Sequence, residues 1–323
     1  VTPPDSLVII LALLLDLAIG DPSWLPHPVI AIGRLIHFLD KRLRFHWLNE
    51  RLAGVLLLSL VVISSAGITW LLLHMITALF SFAGWIAAVI ISATCLASRS
   101  LHTESARVAA ALLAGDLHQA RRYLSFIVGR DTEHLDESEI WRAVVETVAE
   151  NTSDGIIAPL FWLTIGGPVC AMSYKAVSTL DSMVGYKNDK YLHLGWASAR
   201  MDDFLNFIPA RLTALLLVIS APLAGCSLMT AARIAVRDRL NHPSPNSGYP
   251  EAAAAGALGV RLGGAASYNG VPSWKEYIGE QQKPLDEHAY NSMIKLMYIS
   301  TVLMAIGCMM AAFLLRGSCV PFI

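Results

Sequence analysis

The stretch LAGVLLLSLVVISSAGITWLLLHMITALFSFAGWIAAVIISATCLA, residues 52–97, contains no Asp, Glu, Lys or Arg, and Arg51 and Arg99 close it on either side. A hydrocarbon core about 30 Å thick needs about 20 apolar residues per helical crossing, so this run is long enough for two. It predicts a helical hairpin that turns between His74 and Gly84. Trp70 and Trp85 then sit near the turn, where amphipathic rings anchor at the headgroups. The whole chain agrees with a membrane setting. Hydrophobic residues make up 55% of it and charged residues 15%, and the mean hydropathy is +0.53.

Working outward, the sequence reads as one membrane domain over residues 1–323, with spans near 6–20, 52–73, 84–98 and 293–315. The first is short and carries Asp16. No basic segment precedes it and no small-residue cleavage site follows, so it reads as retained rather than as a signal peptide. Segments 156–172 and 204–225 are apolar but broken, one by Pro159 and Gly166-Gly167-Pro168, the other by Asn206, Pro209 and Arg211. Such segments span, or dip in and return beside other helices, and strict alternation of sides favours the second. Arg34, Lys41, Arg42, Arg44 and Arg51 crowd the segment after the first span, whereas the hairpin turn has no cation. The positive-inside rule therefore places residues 21–51 and 99–154 in the cytoplasm.

Outside the spans the pattern is helical. Residues 100–115 are Ala-rich with Gly115 as the stop, and Asp136 and Glu139 have capping-box spacing ahead of a helix at 141–150. Alternating strand patterns are scarce. The fold class is thus all-α, a polytopic integral membrane protein with cytoplasmic helices and polar loops. A net charge of −1 gives no basic field for nucleic acid. The five cysteines (Cys95, Cys170, Cys226, Cys308, Cys319) lack CxxC spacing and read as packing residues.

Six polar constellations interrupt this apolar chain. GDPSWLPHPV, Gly20–Val29, leaves the first span through three prolines that stiffen the exit and position Asp21 and His27; a plain helix stop is the alternative. GRDT, Gly129–Thr132, presents Arg130 beside Asp131, a pairing that elsewhere is a loop salt bridge. Glu146, Glu150 and Asp154 fall at i, i+4 and i+8, which on a regular helix stacks three carboxylates about 6 Å apart and calls for a counter-charge. Asn151 lies among them. YKAVSTLDSMVGYKN, Tyr174–Asn188, sets Lys175, Asp181 and Lys187 among hydroxyls, a phosphate-binding composition or a juxtamembrane helix with snorkelling lysines. Arg200, Asp202, Asp203, Asn206 and Arg211 enter an otherwise apolar segment, where ionisable groups must be paired or functional. Finally, HPSPNSGYPEAAAAGALGVRLGG, His242–Gly264, reads as a rigid loop with Asn246, then a helix with Pro250 and Glu251 in its first turn and Gly263-Gly264 at its end.

Taken in series, GDPSWLPHPV, GRDT, AENTSDGIIAPLF, YKAVSTLDSMVGYKN, ARMDDFLNFIPAR and SPNSGYPEAAAAGALGVRLGG resemble the adenosylcobinamide-phosphate synthase family of cobalamin biosynthesis over nearly the whole chain. Ser178 departs from the pattern, where an Asn is expected. The resemblance implies an integral membrane ligase of the bacterial inner membrane, with its active site on the cytoplasmic side. Its substrates would be adenosylcobyric acid and (R)-1-amino-2-propanol O-2-phosphate or a related amino-alcohol phosphate, joined as an amide with consumption of ATP. Association with other membrane enzymes of the pathway is a further implication.

Carried onto this chain, the resemblance makes Glu146, Glu150, Asp154 and Asp181 the expected Mg²⁺ ligands, with the metal bridging ATP phosphates. Arg130, Lys175 and Lys187 would neutralise phosphate charge, and Asn151, Asn206, Arg211, Asn246 and Glu251 would line the substrate site. Asp21 or His27 would take the proton from the incoming amine, with Glu150 and Asp154 completing the catalytic set. The activated carboxylate is an acyl phosphate or an adenylate. No GxxxxGK[ST] occurs, so ATP must be held without an ordinary P-loop. Two other readings compete. A secondary transporter would use Asp16, Asp154, Asp203 and Arg211 in broken helices, although no internal repeat supports it. An alcohol phosphotransferase would need a DGxxAR element, and Asp154-Gly155 is followed instead by Ile156-Ile157-Ala158-Pro159.

Overall fold

In a computed structural model the described residues are 6–21, 27–44, 49–186, 188–268 and 270–318. Backbone packing gathers the chain into two compact units that alternate along the sequence. The first takes residues 1–97, 158–206 and 305–323, the second residues 98–157 and 207–304.

The first unit is helical. Helix α1 (Ser6–Ile19) packs on α4 (Ser81–Ala93), and α2 (Pro28–Leu43) on α3 (Glu50–Leu79) and α8 (Ala158–Val184). Helix α3 also contacts α4, α8 and α9 (Trp196–Leu205). The hairpin turn falls at Phe80, whose N–H closes α3 onto Ile76 O, because nothing between His74 and Leu79 stops a helix earlier. Exposure along α3 and α4 is what lipid requires. Ile63 is 68% exposed and Phe82 73%, and only 28% of the most apolar window of α3 is buried within the protein. Soluble monomers rarely leave so continuous an apolar surface in water.

Four helical stretches are long and apolar enough to cross a membrane: Glu50–Leu79, Ser81–Leu113, Glu137–Val184 and Glu287–Leu314. A fifth is added if the broken pair Trp196–Leu205 and Phe207–Ser220 counts as one span. Helix α1, expected to span, has 14 described residues, roughly 21 Å at 1.5 Å per residue, which falls short of the hydrocarbon core. The broken segment at 156–172 is a helix kinked where Gly166 and Gly167 leave helical geometry ahead of Pro168.

The second unit holds α5 (Ser98–Leu113), α6 (Leu117–Leu124), α7 (Glu137–Thr152), α10 (Phe207–Ser220), α11 (Leu228–Asp238) and α12 (Gly248–Leu258). Helix α13 (Glu287–Ser318) contributes its residues up to 304 here and the rest to the first unit. The capping box at the start of α7 forms as expected: Asp136 accepts from Glu139 N–H and Glu139 reaches back to Asp136 N–H.

One expectation fails in this unit. The last polar motif does not continue as a helix to Gly263-Gly264, because Gly259 at φ +70° ends α12. The chain then forms an antiparallel hairpin, β1 (Arg261–Tyr268) with β2 (Val271–Gly279), whose register shifts between Leu262 and Gly264. Asn269-Gly270 between two short runs is a strong hairpin signal. The glycines and alanines of β1 hide its alternation.

Helix α12 is buried at every residue but Tyr249, and its sequence GYPEAAAAGAL lets α10 and α11 approach closely. A Cβ on Gly256 would stand 2.7 Å from both Ile234 Cβ and Thr230 O. Overpacking of this kind costs about 1–3 kcal/mol. Gly256→Ala is therefore expected to lower the thermal midpoint in detergent and Gly256→Leu to prevent folding, as read by a melting curve and by size-exclusion recovery.

Candidate active site

The polar residues of the second unit converge from four separate segments: the GRDT turn, helix α7, the loop into α12 and the β hairpin. On α7, Glu146 is only 3% exposed. Its Oε2 accepts a hydrogen bond from Arg130 Nη2, and its Oε1 accepts from Gly263 N–H at 2.8 Å, with Arg142 Nε 3.9 Å away. Arg130 itself is 8% exposed. Burying either partner alone would cost several kcal/mol.

The hairpin supplies the backbone groups. Gly263, at φ +81°, sits at the register shift, where an extra residue turns its N–H toward Glu146 while its carbonyl accepts from Arg142 Nη1. Arg142 Nη2 also donates to Ala265 O at 2.8 Å. A Cβ on Gly263 would meet Glu276 O at 2.3 Å, so the position accepts only glycine. Asp131 points the other way from Arg130 in its bonding: Oδ2 accepts from Ser267 Oγ at 2.6 Å and from Gly270 N–H at 2.8 Å. GRDT is therefore a two-sided clamp between α7 and the hairpin, in which Arg130 and Asp131 serve different partners.

One turn along α7, Glu150 Oε1 accepts from Ser247 Oγ at 2.7 Å, at the residue preceding α12. Glu251 follows and is 1% exposed. Burial, and then the Glu146 carboxylate, raises its pKa well above the ordinary range. His242 Nε2 lies 3.7 Å from Glu251 Oε1 and 3.0 Å from Lys275 Nζ on β2. Burial and the neighbouring lysine push this imidazole down to about 4. For Lys275, burial opposes the ammonium, and Glu251, Tyr268, Glu150 and Glu146 together outweigh it.

The expected Mg²⁺ set does not assemble in this form. Regular helical stacking stops at Thr152, because Ser153–Ile157 form a π-helical turn that carries Asp154 out of the i, i+4 phase. Glu146 is occupied by the guanidinium groups and by Gly263 N–H. Among the described residues no group of three or more His, Cys, Asp or Glu could hold a metal ion. These residues do not fit a protein-only cage.

The remaining expected site residues take varied places. Asn151 Nδ2 donates back to Thr147 O at 3.0 Å. Arg211 lies 3.5 Å from the Phe207 ring centroid and 4.2 Å from that of Tyr249, with Nη1 3.3 Å from Asn246 Oδ1. In the first unit, Asn206 is buried, accepting from Tyr174 OH at 2.8 Å and donating to Asp202 Oδ2 at 2.9 Å, a structural role. His27 Nε2 lies 2.9 Å from Asp21 Oδ1. Lys175 and Asp181 lie on α8, with Asp181 against Gly185, where a Cβ would meet its Oδ1 at 1.9 Å. Lys187 lies outside the described residues. Sequence reasoning passed over Lys275, Ser247 and the ring of His242. The one available signal for Lys275 was the Asn269-Gly270 hairpin.

Against known proteins, the family model described as CobD/Cbib protein matches residues 9–297. A cobalamin biosynthesis protein CobD of Pelobacter propionicus is 63% identical over 314 residues, covering 97% of each chain. One of Clostridium tetani is 47% identical over 302 residues, covering 92% of this chain and 95% of that one. A cobalamin biosynthesis protein CbiB of Salmonella typhimurium is 46% identical over 305 residues, covering 94% and 95%. No solved structure matches the chain. With the model and the relatives spanning nearly its full length, this chain belongs to the CobD/Cbib protein family.

Proposed function

We propose that the protein acts in cobalamin biosynthesis as an ATP-dependent amide ligase. It joins adenosylcobyric acid to (R)-1-amino-2-propanol O-2-phosphate or a related amino-alcohol phosphate and yields adenosylcobinamide phosphate. The pathway follows from family membership and from the names its relatives carry. The reaction class is supported by one observation: Arg130, Arg142 and Lys275 meet Glu146, Glu150 and Glu251 in a single buried cluster. Amide formation from a carboxylate needs a leaving group better than oxide, and ATP provides it as an acyl phosphate or an adenylate.

Within this reading the residues divide by commitment. Arg130 and Glu146 fix α7 to the hairpin and act as positioning residues. Lys275 is the cation that acts most strongly on Glu251 and also feels Glu150, and with Arg142 it would meet phosphate or carboxylate oxygens of the substrates. Mg²⁺ commonly arrives on substrate phosphates with one or two carboxylates rather than in a dedicated cage, which is the mode left open by this carboxylate arrangement. The bacterial inner membrane and a cytoplasmic active site remain part of the proposal, from the cation distribution around the first hairpin.

Purified protein in detergent is expected to release ADP or AMP only when adenosylcobyric acid and the amino-alcohol phosphate are both present, with one amide formed per nucleotide. Nucleotide turnover without amide, or neither product, overturns the ligase. Two substitutions separate chemistry from framework. Glu150 is half-buried and held by one hydroxyl, so Glu150→Gln is expected to lower kcat about 100-fold with little change in melting temperature. Glu146→Gln leaves Arg130 buried without its counter-charge and is expected to cost about 3–5 kcal/mol of stability, read by denaturation.

A further inference from the structure

Arg51, Val55, Leu58 and Val62 fall at i, i+4, i+7 and i+11 of α3, a single stripe that starts at the charged end of the helix and runs into its apolar middle. Helix α9 lies beside it. The Arg51 guanidinium stands 5.8 Å from the Trp196 ring centroid, and farther along both helices Leu58, Val62 and Ile63 share a cavity with Met201 and Leu205. Helix α8 supplies the third wall, and the cavity holds about 360 Å³. Its lining is apolar because the polar groups of α8 are bonded elsewhere. Trp162 Nε1 donates to Leu205 O at 3.2 Å, Tyr174 OH to Asn206 Oδ1 at 2.8 Å and Ser173 Oγ to Val169 O at 2.8 Å. The cavity opens outward, since Ile63 is 68% exposed and Met201 38%. An apolar cavity does not attract water, and on a helix that crosses the bilayer the neighbouring solvent is acyl chain.

The polar end of the same stripe is cationic. Residues 38–51 and 189–196 hold five cations (Lys41, Arg42, Arg44, Arg51, Lys190) against three carboxylates (Asp40, Glu50, Asp189). Aromatic faces fix where four of these cations stand: Arg42 over Phe38 at 5.3 Å, Arg44 and Lys190 over Tyr191 at 5.2 and 4.7 Å, and Arg51 over Trp196. Asp40 takes Arg44 at 2.8 Å, whereas Arg42, Arg51 and Lys190 form no ion pair among the described residues. A zwitterionic headgroup would bring its own cation to this surplus, and an anionic one would not. The spacing also suits a lipid. Leu58 lies about 10 Å along the helix from Arg51, and the headgroup layer is about 5–8 Å thick on each side of the hydrocarbon. A chain whose phosphate meets Arg51 therefore begins beside Val55, which is 40% exposed, and reaches the cavity at Leu58.

We infer that one anionic phospholipid binds here as a discrete ligand, its phosphate on Arg51 beside Trp196 and an acyl chain in the cavity between α3, α8 and α9. The site lies wholly in the first unit and is independent of the ligase reading. Head and tail are read by different residues, so each half can be removed without the other.

Native mass spectrometry of the full-length protein in mild detergent, titrated with phosphatidylglycerol or with phosphatidylcholine of identical chains, tests both halves without any turnover. The wild type is expected to bind one phosphatidylglycerol at least about 10-fold more tightly than phosphatidylcholine. Arg51→Gln is expected to abolish that preference, Val62→Trp to fill the cavity and weaken phosphatidylglycerol binding, and Arg107→Gln, a cation of the second unit, to change neither. Equal affinity of the wild type for the two lipids overturns the site, as does a wild-type preference in Arg51→Gln or a wild-type affinity in Val62→Trp. A measurement on the wild type alone covers the case in which a variant does not fold. Phosphatidylglycerol with a diazirine in its acyl chain should place its photoadducts mainly on peptides carrying residues 58–63 and 201–205. Labelling spread evenly over other lipid-facing positions, such as Phe82 on α4, overturns a discrete site.

Discussion

A carboxylate taken out of water costs several kcal/mol unless its charge and its lone pairs are matched, and Glu146 is buried near the middle of α7. Much of the second unit's polar geometry follows from that debt. Arg130 comes from the GRDT turn, Arg142 from one helical turn earlier, and Gly263 N–H from a kink in β1. Each of these is held in turn: Asp131 ties its turn to Ser267 and Gly270, and Arg142 caps two carbonyls of β1. Remove the carboxylate and two guanidinium groups and a strand kink lose their common reason.

This arrangement leaves the neighbouring groups with less to do structurally and more to offer chemically. Glu150 is held by a hydroxyl and Lys275 by an imidazole, neither of which neutralises a full charge. Glu251, buried beside other carboxylates, is steered toward its neutral form. Under the proposed ligase, phosphates and a protonated amine would bring their own charges to these loosely matched groups.

The membrane character was legible because it depends on composition summed over long windows, as in the charge-free run 52–97. Helix ends were legible where a local rule governs them, as at Asp136, Glu139 and Gly115. The three-carboxylate stack was misread at Asp154 because helical periodicity was assumed to continue through Ser153–Ile157, and a π-turn leaves no signature in hydrophobic spacing. The hairpin was missed because Gly263, Gly264, Ala265 and Ala266 carry almost no side-chain pattern. Lys275 was missed with it. Arg130 was found, but for phosphate rather than for Glu146, since which buried acid meets which base depends on contacts far apart in sequence.

The alternation of the two units along the chain has a bearing on how the protein is made. Synthesis leaves the first unit at residue 97, returns to it at 158, and completes it only after residue 305, while the second waits for the hairpin and the first half of α13. Neither body can finish on its own as the ribosome proceeds. The charged residues of α7 therefore emerge well before Gly263 exists to receive them, and a nascent chain must shelter Glu146 and Arg130 together, or keep both hydrated, until more than a hundred further residues have been added.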